Sequence, residues 1–215
     1  MIKNEASKQE QLDKLRGEME GAELPLKSGA GRLVFGDGNA DADLMFIGEG
    51  PGYWEDQKGI PFVGNAGAFL NQLLALIGLE RGDVFITNVV HYRPPENRDP
   101  TSEEMAAFQP YLDKMIEIIE PKIIVTLGRF SMGKFLPGAR ISGVHGKTKL
   151  VEWQGRKLTV VPMYHPAAGL RNGAVKEQTK QDFLAMGEVL KEGISIEDKS
   201  DESKKQDKVE QMSLI

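Results

Sequence analysis

Four short apolar segments recur along this chain, and helical patterns separate them. The segments are 44–50, 83–90, 122–128 and 158–166, and the helical patterns are 66–79, 102–120 and 176–191. A strand that is followed by a helix and then by another strand favours a parallel sheet, because the helix returns the chain across one face. The alternation therefore predicts a doubly wound α/β sheet.

The length and the residue types limit the chain further. A chain of 215 residues is typical of one domain with tails. The absence of cysteine excludes disulfides, thiolate metal sites and thiol nucleophiles. No apolar run approaches the ~18–20 residues of a membrane span, and the N-terminus lacks the apolar core of a signal peptide. We expect a cytoplasmic protein with no membrane association.

The charge is unevenly distributed. The net charge is -5 overall, yet residues 121–181 contain eleven Lys or Arg residues and two acids. A basic segment in an acidic chain can supply a local phosphate-binding face. Solvated strand and loop ends are the alternative.

Three of the strands end in residues that suit a binding site. The sequence GEGPG occupies 48–52, Asn88 lies near the end of the second segment, and His165 lies near the end of the fourth. Ligands of doubly wound sheets bind beyond the carboxyl ends of the strands, so these residues are expected to meet. The glycine spacing matches neither G-x-G-x-x-G nor a Walker loop. Phe62 lies in a loop where its ring could stack on a planar ligand, although a core phenylalanine and a structural histidine are alternatives.

Three long motifs in the same order carry a family resemblance: GEGPGYWEDQKGIPFVGNAG, ITNVVHYRPPENRDPT and YHPAAGLR. The sequence from about residue 24 to 190 resembles the family 4 uracil-DNA glycosylases. This resemblance implies a three-layer α/β/α fold with a central four-stranded parallel sheet. It also implies a DNA repair enzyme that hydrolyses the N-glycosidic bond of deoxyuridine, acting as a nucleoid-associated monomer.

The resemblance also implies roles for individual residues. Glu49 and Gly50 would lie beside the base and the scissile bond, with Glu49 as the candidate that positions water. Glu55 would crowd the 5-position of the base and exclude thymine, while Phe62 would stack on uracil. Asn88 would read the N3 and O4 edge, and His165 would donate to O2 as negative charge develops there.

The loop after His165 is expected to approach DNA as well. Leu170 would fill the space left by the flipped nucleotide, and Arg171 would bind a phosphate. A core position for Leu170 is the alternative.

The chain departs from the family at four positions. Members of family 4 hold a [4Fe–4S] cluster with four cysteines, and the aligned positions here are Gly21, Leu24, Tyr92 and Phe108. We expect the last three to form a small satellite core in place of the cluster, with no metal and no cofactor. We expect the whole chain to divide into an N-terminal lead-in (1–23), the glycosylase domain (24–191) and a tail (192–215). The lead-in contains a helix, 7–20, with one apolar face.

The tail ends in a distinct motif. Residues 192–210 are charged and serine-bearing, which is typical of a disordered linker. The last five residues, QMSLI, resemble the bacterial sliding-clamp-binding pentapeptide, with Gln211, Leu214 and Ile215 as the contact residues. A tail without function is the alternative.

Two other functions compete with the glycosylase. The first is a non-catalytic uracil-DNA sensor or clamp adaptor whose active site decayed. The presence of four intact site residues disfavours it, namely Glu49, Phe62, Asn88 and His165. The second is a nucleotide-binding Rossmann enzyme, which the glycine spacing disfavours.

Overall fold

The computed structural model describes residues 6–191. The helices are α1 (Lys8–Gly21), α2 (Tyr53–Lys58), α3 (Asn65–Leu76), α4 (Ser102–Ile119), α5 (Arg129–Phe135), α6 (Ile141–Val144), α7 (Pro166–Arg171) and α8 (Gly173–Lys191). The strands are β1 (Asp37–Gly38), β2 (Leu44–Gly48), β3 (Phe85–Asn88), β4 (Ile123–Leu127), β5 (Lys149–Trp153) and β6 (Arg156–Met163). Single 3₁₀ turns lie at Lys27–Gly29, Arg81–Asp83 and Pro95–Asn97.

The strands form one sheet in the order β1-β3-β2-β4-β6-β5. The inner four strands, β3, β2, β4 and β6, are parallel. They correspond to the four predicted strands, so the fold class and the parallel centre of the sheet are confirmed.

The sheet has six strands within residues 6–191 rather than four, which corrects the predicted number. Strands β1 and β5 are antiparallel edges. β1 has two residues and therefore no periodicity to detect. β5 alternates between half-buried and exposed residues, and it joins β6 through a tight turn at Gln154 and Gly155, both with positive φ.

Two apolar clusters sandwich the sheet. One lies under α1 and α4 and includes Leu12, Met19 and Ile116. The other lies under α3 and α8 and includes Leu73 and Phe183. Helices therefore cover both faces of the parallel strands, as buried parallel sheets require.

Local capping sets the ends of the long helices. Ser7 and Thr101 cap α1 and α4, and each forms a capping box with a glutamate three residues later. The start of α4 at Ser102 confirms the predicted start of the helical pattern at residue 102. The predicted helix 66–79 begins one residue earlier and ends at Leu76, and α8 begins three residues before its predicted start.

None of the helices in the described range is long and apolar enough to cross a membrane. The predicted linker 192–210 and the motif residues Gln211, Leu214 and Ile215 lie outside the described residues.

Candidate active site

A cavity of about 300 Å³ lies at the carboxyl ends of the parallel strands. This volume is at the lower end of the range for small-ligand sites, roughly 300–1,000 Å³, and suits a single planar ring. The cavity brings together seven predicted residues, namely Glu49, Gly50, Glu55, Phe62, Asn88, His165 and Arg171. Their meeting at one sheet edge agrees with the expected location, while their chemical roles stay predictions.

Asn88 lines this cavity and carries an unsatisfied acceptor. It ends β3 and pairs in parallel register with Gly48 of β2. The side chain is 1% exposed, and its Oδ1 has no hydrogen-bond partner among the described residues. A buried carbonyl oxygen without a partner costs roughly 1–3 kcal/mol. The amide is therefore arranged for a donor that a ligand would bring.

Gly48 makes room for two of the site side chains. A Cβ atom at this position would lie 2.6 Å from Cε2 of Phe62 and closer still to Oδ1 of Asn88. Both distances are well below van der Waals contact, so this site requires glycine at the end of β2. The GEGPG motif marked the position, but its steric role was not predicted.

Phe62 has a positive φ of 53°, which is uncommon for a residue with a side chain. Two side chains hold its loop. Glu55 Oε1 accepts hydrogen bonds from the amides of Val63 and Gly64, both at 2.9 Å. The guanidinium of Arg81 donates to the carbonyl oxygens of Pro61 and Phe62, at 2.8 and 3.1 Å. The aromatic ring is therefore fixed at the cavity wall.

Arg81 was missed as a site residue because it lies 19 positions from Phe62 in a stretch with no motif.

Gly67 was also missed as a residue that shapes the site. Any Cβ there would overlap the carbonyl group of Phe62, so α3 approaches the loop only because position 67 is glycine. The presence of Gly67 near the end of the first motif was the one available signal.

His165 is held as a neutral imidazole. It caps α7, and its Nδ1 accepts a hydrogen bond from the Ala167 amide at 3.2 Å. This bond assigns the proton of the neutral ring to Nε2. Burial and the nearby charge of Arg171 lower the pKa of His165 to about 4, while Glu55 acts in the opposite direction. The ring centroid lies 5.6 Å from that of Phe62, so the Nε2 proton donor and the stacking surface border the same space.

Glu49 follows β2 and lines the cavity. Burial raises the pKa of its carboxyl group, and the charge of Asp99 adds to this rise. Arg129 and Arg171 act in the opposite direction. A carboxylate with a raised pKa is a better proton acceptor at neutral pH than an ordinary glutamate.

The proline-rich loop after β3 closes the cavity from the other side. Asn97, Arg98 and Pro100 line it, although sequence reasoning singled out none of them. Arg98 donates to both oxygens of Glu104, at 2.6 and 2.8 Å, and that carboxylate also accepts from the Thr101 amide. The loop is thus fixed to the start of α4.

The two residues predicted to contact DNA are both exposed. Leu170 is 46% exposed, so the alternative that it belongs to the core is wrong. Arg171 lies at the edge of the cavity. Contact of either residue with DNA stays a prediction.

The basic segment does not form one uniform face. Lys122 pairs with Asp43, Lys134 with Asp113, and Arg129 with Asp99. Arg129 and Arg171 are its members close enough to Glu49 to affect the pKa of that residue.

The positions aligned with the family's cluster ligands hold no thiolate. Tyr92 is buried and Phe108 is 0% exposed, with ring centroids 6.2 Å apart, and Leu24 packs against the same cluster. These three side chains belong to the main cluster under α1 and α4, so the predicted separate satellite core is wrong. The aligned Gly21 is exposed and contributes no side chain to it.

Within residues 6–191, no three His, Asp or Glu side chains are grouped in a way that could hold a metal ion. The residues at the four aligned positions do not fit an iron–sulfur cluster, because hydrocarbon side chains and a phenol replace the thiolates that such a cluster requires.

Comparison with known proteins identifies the family of this chain. The profile of the Uracil DNA glycosylase superfamily matches residues 35–188. A type-4 uracil-DNA glycosylase of Archaeoglobus fulgidus is 47% identical over 161 residues, covering 73% of this chain and 81% of that protein. The type-4 enzyme of Sulfurisphaera tokodaii is 46% identical over 164 residues, covering 73% and 74%. That of Thermotoga maritima is 45% identical over 148 residues, covering 69% and 77%. The chain therefore belongs to the uracil DNA glycosylase superfamily.

Proposed function

We propose that this protein is a DNA repair glycosylase that hydrolyses the N-glycosidic bond of deoxyuridine in DNA, releases uracil and leaves an abasic site. The observation that carries the proposal is the buried, unpartnered Oδ1 of Asn88 in the same cavity as a neutral His165. This pair supplies an acceptor and a donor to one small planar ring. The superfamily match favours this reaction over a nucleotide-binding Rossmann enzyme.

Recognition begins with extrusion of the nucleotide from the helix, which costs a few kcal/mol. Asn88 Oδ1 accepts from N3–H of uracil, and the amide NH₂ of the same side chain donates to O4. Cytosine lacks the N3 proton, so it would leave the buried oxygen unsatisfied. Stacking on Phe62 returns roughly 1–3 kcal/mol of the extrusion cost.

Cleavage breaks the bond between C1′ of the sugar and N1 of uracil. The bonding electrons leave with uracil, and negative charge spreads onto O2. Nε2–H of His165 donates to O2, and this hydrogen bond strengthens as the charge grows, so it lowers the barrier rather than merely binding substrate. A neutral imidazole is suited to this role, because it donates without transferring its proton.

Water then adds to C1′. Gly50 has no side chain to orient this water, and a Cβ at its position would lie 2.7 Å from a Val90 methyl group. Glu49 is the carboxylate that orients the water and takes its proton, while its negative charge stabilises the cationic sugar. Its raised pKa favours proton acceptance.

Discrimination against thymine falls to Glu55. Because two backbone amides hold its Oε1, the carboxylate cannot easily swing away from the cavity. A methyl group at the 5-position of the base would meet this fixed side chain, whereas a hydrogen would not.

Strand cleavage by alkali after incubation with a uracil-containing oligonucleotide tests the proposal. Asn88→Ala and His165→Ala are each expected to lower the single-turnover rate by about 10²–10³-fold. Asn39→Ala, an exposed amide at the turn before β2, is the matched control and should keep the wild-type rate. If the wild-type protein binds uracil-DNA without releasing the base, it is the non-catalytic sensor instead.

We propose that the enzyme works without an iron–sulfur cluster, because none of the residues at the aligned positions carries the thiolate that such a cluster requires. The purified protein should be colourless and should keep its activity after exhaustive chelation. A brown protein with visible absorbance would overturn this part of the proposal.

A sliding clamp is the proposed protein partner, bound through Gln211, Leu214 and Ile215 of the QMSLI motif. Deletion of residues 211–215 should abolish clamp capture in a pull-down and leave the glycosylase rate unchanged; retained capture would refute the motif. We also propose that the protein is a cytoplasmic, nucleoid-associated monomer, since its proposed substrate is DNA.

A further inference from the structure

Two neighbouring aromatic side chains lie exposed beside the proposed uracil cavity. Tyr53 and Trp54, in the first turn of α2, are 49% and 58% exposed, and Trp54 is the most exposed large apolar side chain among residues 6–191. Their ring centroids are 5.1 Å apart with the rings edge to face. Single exposed apolar residues are ordinary, but adjacent exposed rings are typical of an interaction site.

The pair lies next to residues that line the cavity. Gly52, which precedes Tyr53, lines the cavity. Trp54 packs over the loop that carries Phe62, since its Cδ1 lies 3.6 Å from the Cβ position of Gly64. The two rings therefore adjoin two loops that line the cavity, those of Gly52 and Phe62.

A cation completes the surface. The guanidinium carbon of Arg93 lies 5.3 Å from the centroid of the Tyr53 ring. Its Nε donates to Oδ1 of Asn97 at 2.8 Å, and Asn97 lines the cavity. Aromatic rings with an adjacent arginine match the chemistry of single-stranded nucleic acid, whose bases stack on rings and whose phosphates attract cations.

We infer that Tyr53, Trp54 and Arg93 form a stacking subsite for an unpaired base next to the flipped deoxyuridine. A base in a duplex already stacks on its neighbours, so it gains little from a protein ring. This inference rests on the proposed function.

Uracil release from two single-stranded oligonucleotides tests the subsite. One has ordinary bases beside the uracil, and the other has abasic tetrahydrofuran residues at both neighbouring positions. The double variant Tyr53→Ala/Trp54→Ala should lose roughly 5- to 100-fold in kcat/KM on the first strand, as expected for one lost base stack. On the second strand the loss should shrink to less than about threefold. The matched control is Leu150→Ala, an exposed apolar residue on β5, which should behave as wild type on both.

A spectroscopic readout follows Trp54 directly. The chain has two tryptophans, so Trp153→Phe leaves Trp54 as the single emitter. Its fluorescence should be quenched by the ordinary single strand and much less by the flank-abasic strand. Equal quenching by both strands, or equal losses of kcat/KM on both, would overturn the inference.

The outcomes separate this inference from the proposed function. If the wild-type protein releases no uracil from either strand, the proposed function fails. If it releases uracil and the double variant matches it on the ordinary strand, the subsite alone is refuted. A wild-type dimer that becomes monomeric in the double variant, by sedimentation, would assign the rings to self-association and also refute the subsite.

Discussion

Replacing Gly48 with alanine should disable the enzyme while leaving it folded. The added Cβ would lie 2.6 Å from the Phe62 ring and closer still to Asn88 Oδ1. Neither neighbour is a flexible chain end, because Phe62 is fixed by its loop and Asn88 is buried. Overpacking of this kind costs about 1–3 kcal/mol of stability. Displacement of the Asn88 amide should lower the single-turnover rate by about 10²–10³-fold, or 2.7–4 kcal/mol of barrier.

Gly36→Ala is the matched control. Its Cβ would lie 2.7 Å from Cζ of the Phe85 ring, so the steric overlap is similar, but Phe85 faces the cluster under α1 and α4 rather than the cavity. Both variants should lose comparable stability in urea denaturation. In a uracil-release assay run well below both unfolding transitions, only Gly48→Ala should lose its rate.

Two results would refute this reasoning. A wild-type rate in Gly48→Ala would show that the ring and the amide can move apart without loss of function. An equal loss of rate in Gly36→Ala would show that general destabilisation, and not the geometry of the site, controls activity.

Three further changes have defined outcomes. Phe108→Ala should lower the free energy of unfolding by about 3–5 kcal/mol in urea denaturation; a loss below about 1 kcal/mol would contradict a core role. Glu55→Ala should lower the free energy of unfolding by about 1–3 kcal/mol, because it leaves two backbone amides unsatisfied. Glu55→Gln retains an acceptor and should lose less; equal losses of the two variants in thermal melts would show that the acceptor does not stabilise the loop. Burial lowers the pKa of His91 to about 3, so the unfolded chain, with a histidine pKa near about 6.5, binds the proton first. The contribution of the neutral His91 to the free energy of unfolding is therefore complete above about pH 6.5 and declines as the pH falls below it, by up to ~1.4 kcal/mol per pH unit. Urea denaturation at a series of pH values should show that the free energy of unfolding falls less steeply between pH 6 and 4 in His91→Phe than in the wild type. An unchanged slope would show that other groups take up the protons.

Much of the fold follows from periodicity and local capping. The apolar runs that form β2, β3, β4 and β6 are each buried along most of their length, so their composition alone identifies them. Thr101 and Glu104 lie three residues apart, and their capping box is readable for that reason. The short edge β1 has no such signal.

The chain's local pattern places Asn88 and His165 at the carboxyl ends of two predicted strands, and a parallel sheet then brings both residues to the same edge, although β2 and β4 lie between β3 and β6. The contacts that hold the site in shape come from residues far apart in the chain. Arg81 fixes the carbonyl of Phe62 from 19 residues away, and Gly48 matters because two distant side chains occupy the space of its missing Cβ. Such contacts join residues without a fixed spacing, so neither periodicity nor motif can reveal them. The same reason explains why Leu24, Tyr92 and Phe108 were placed in a satellite core, whereas packing merges them with the main cluster.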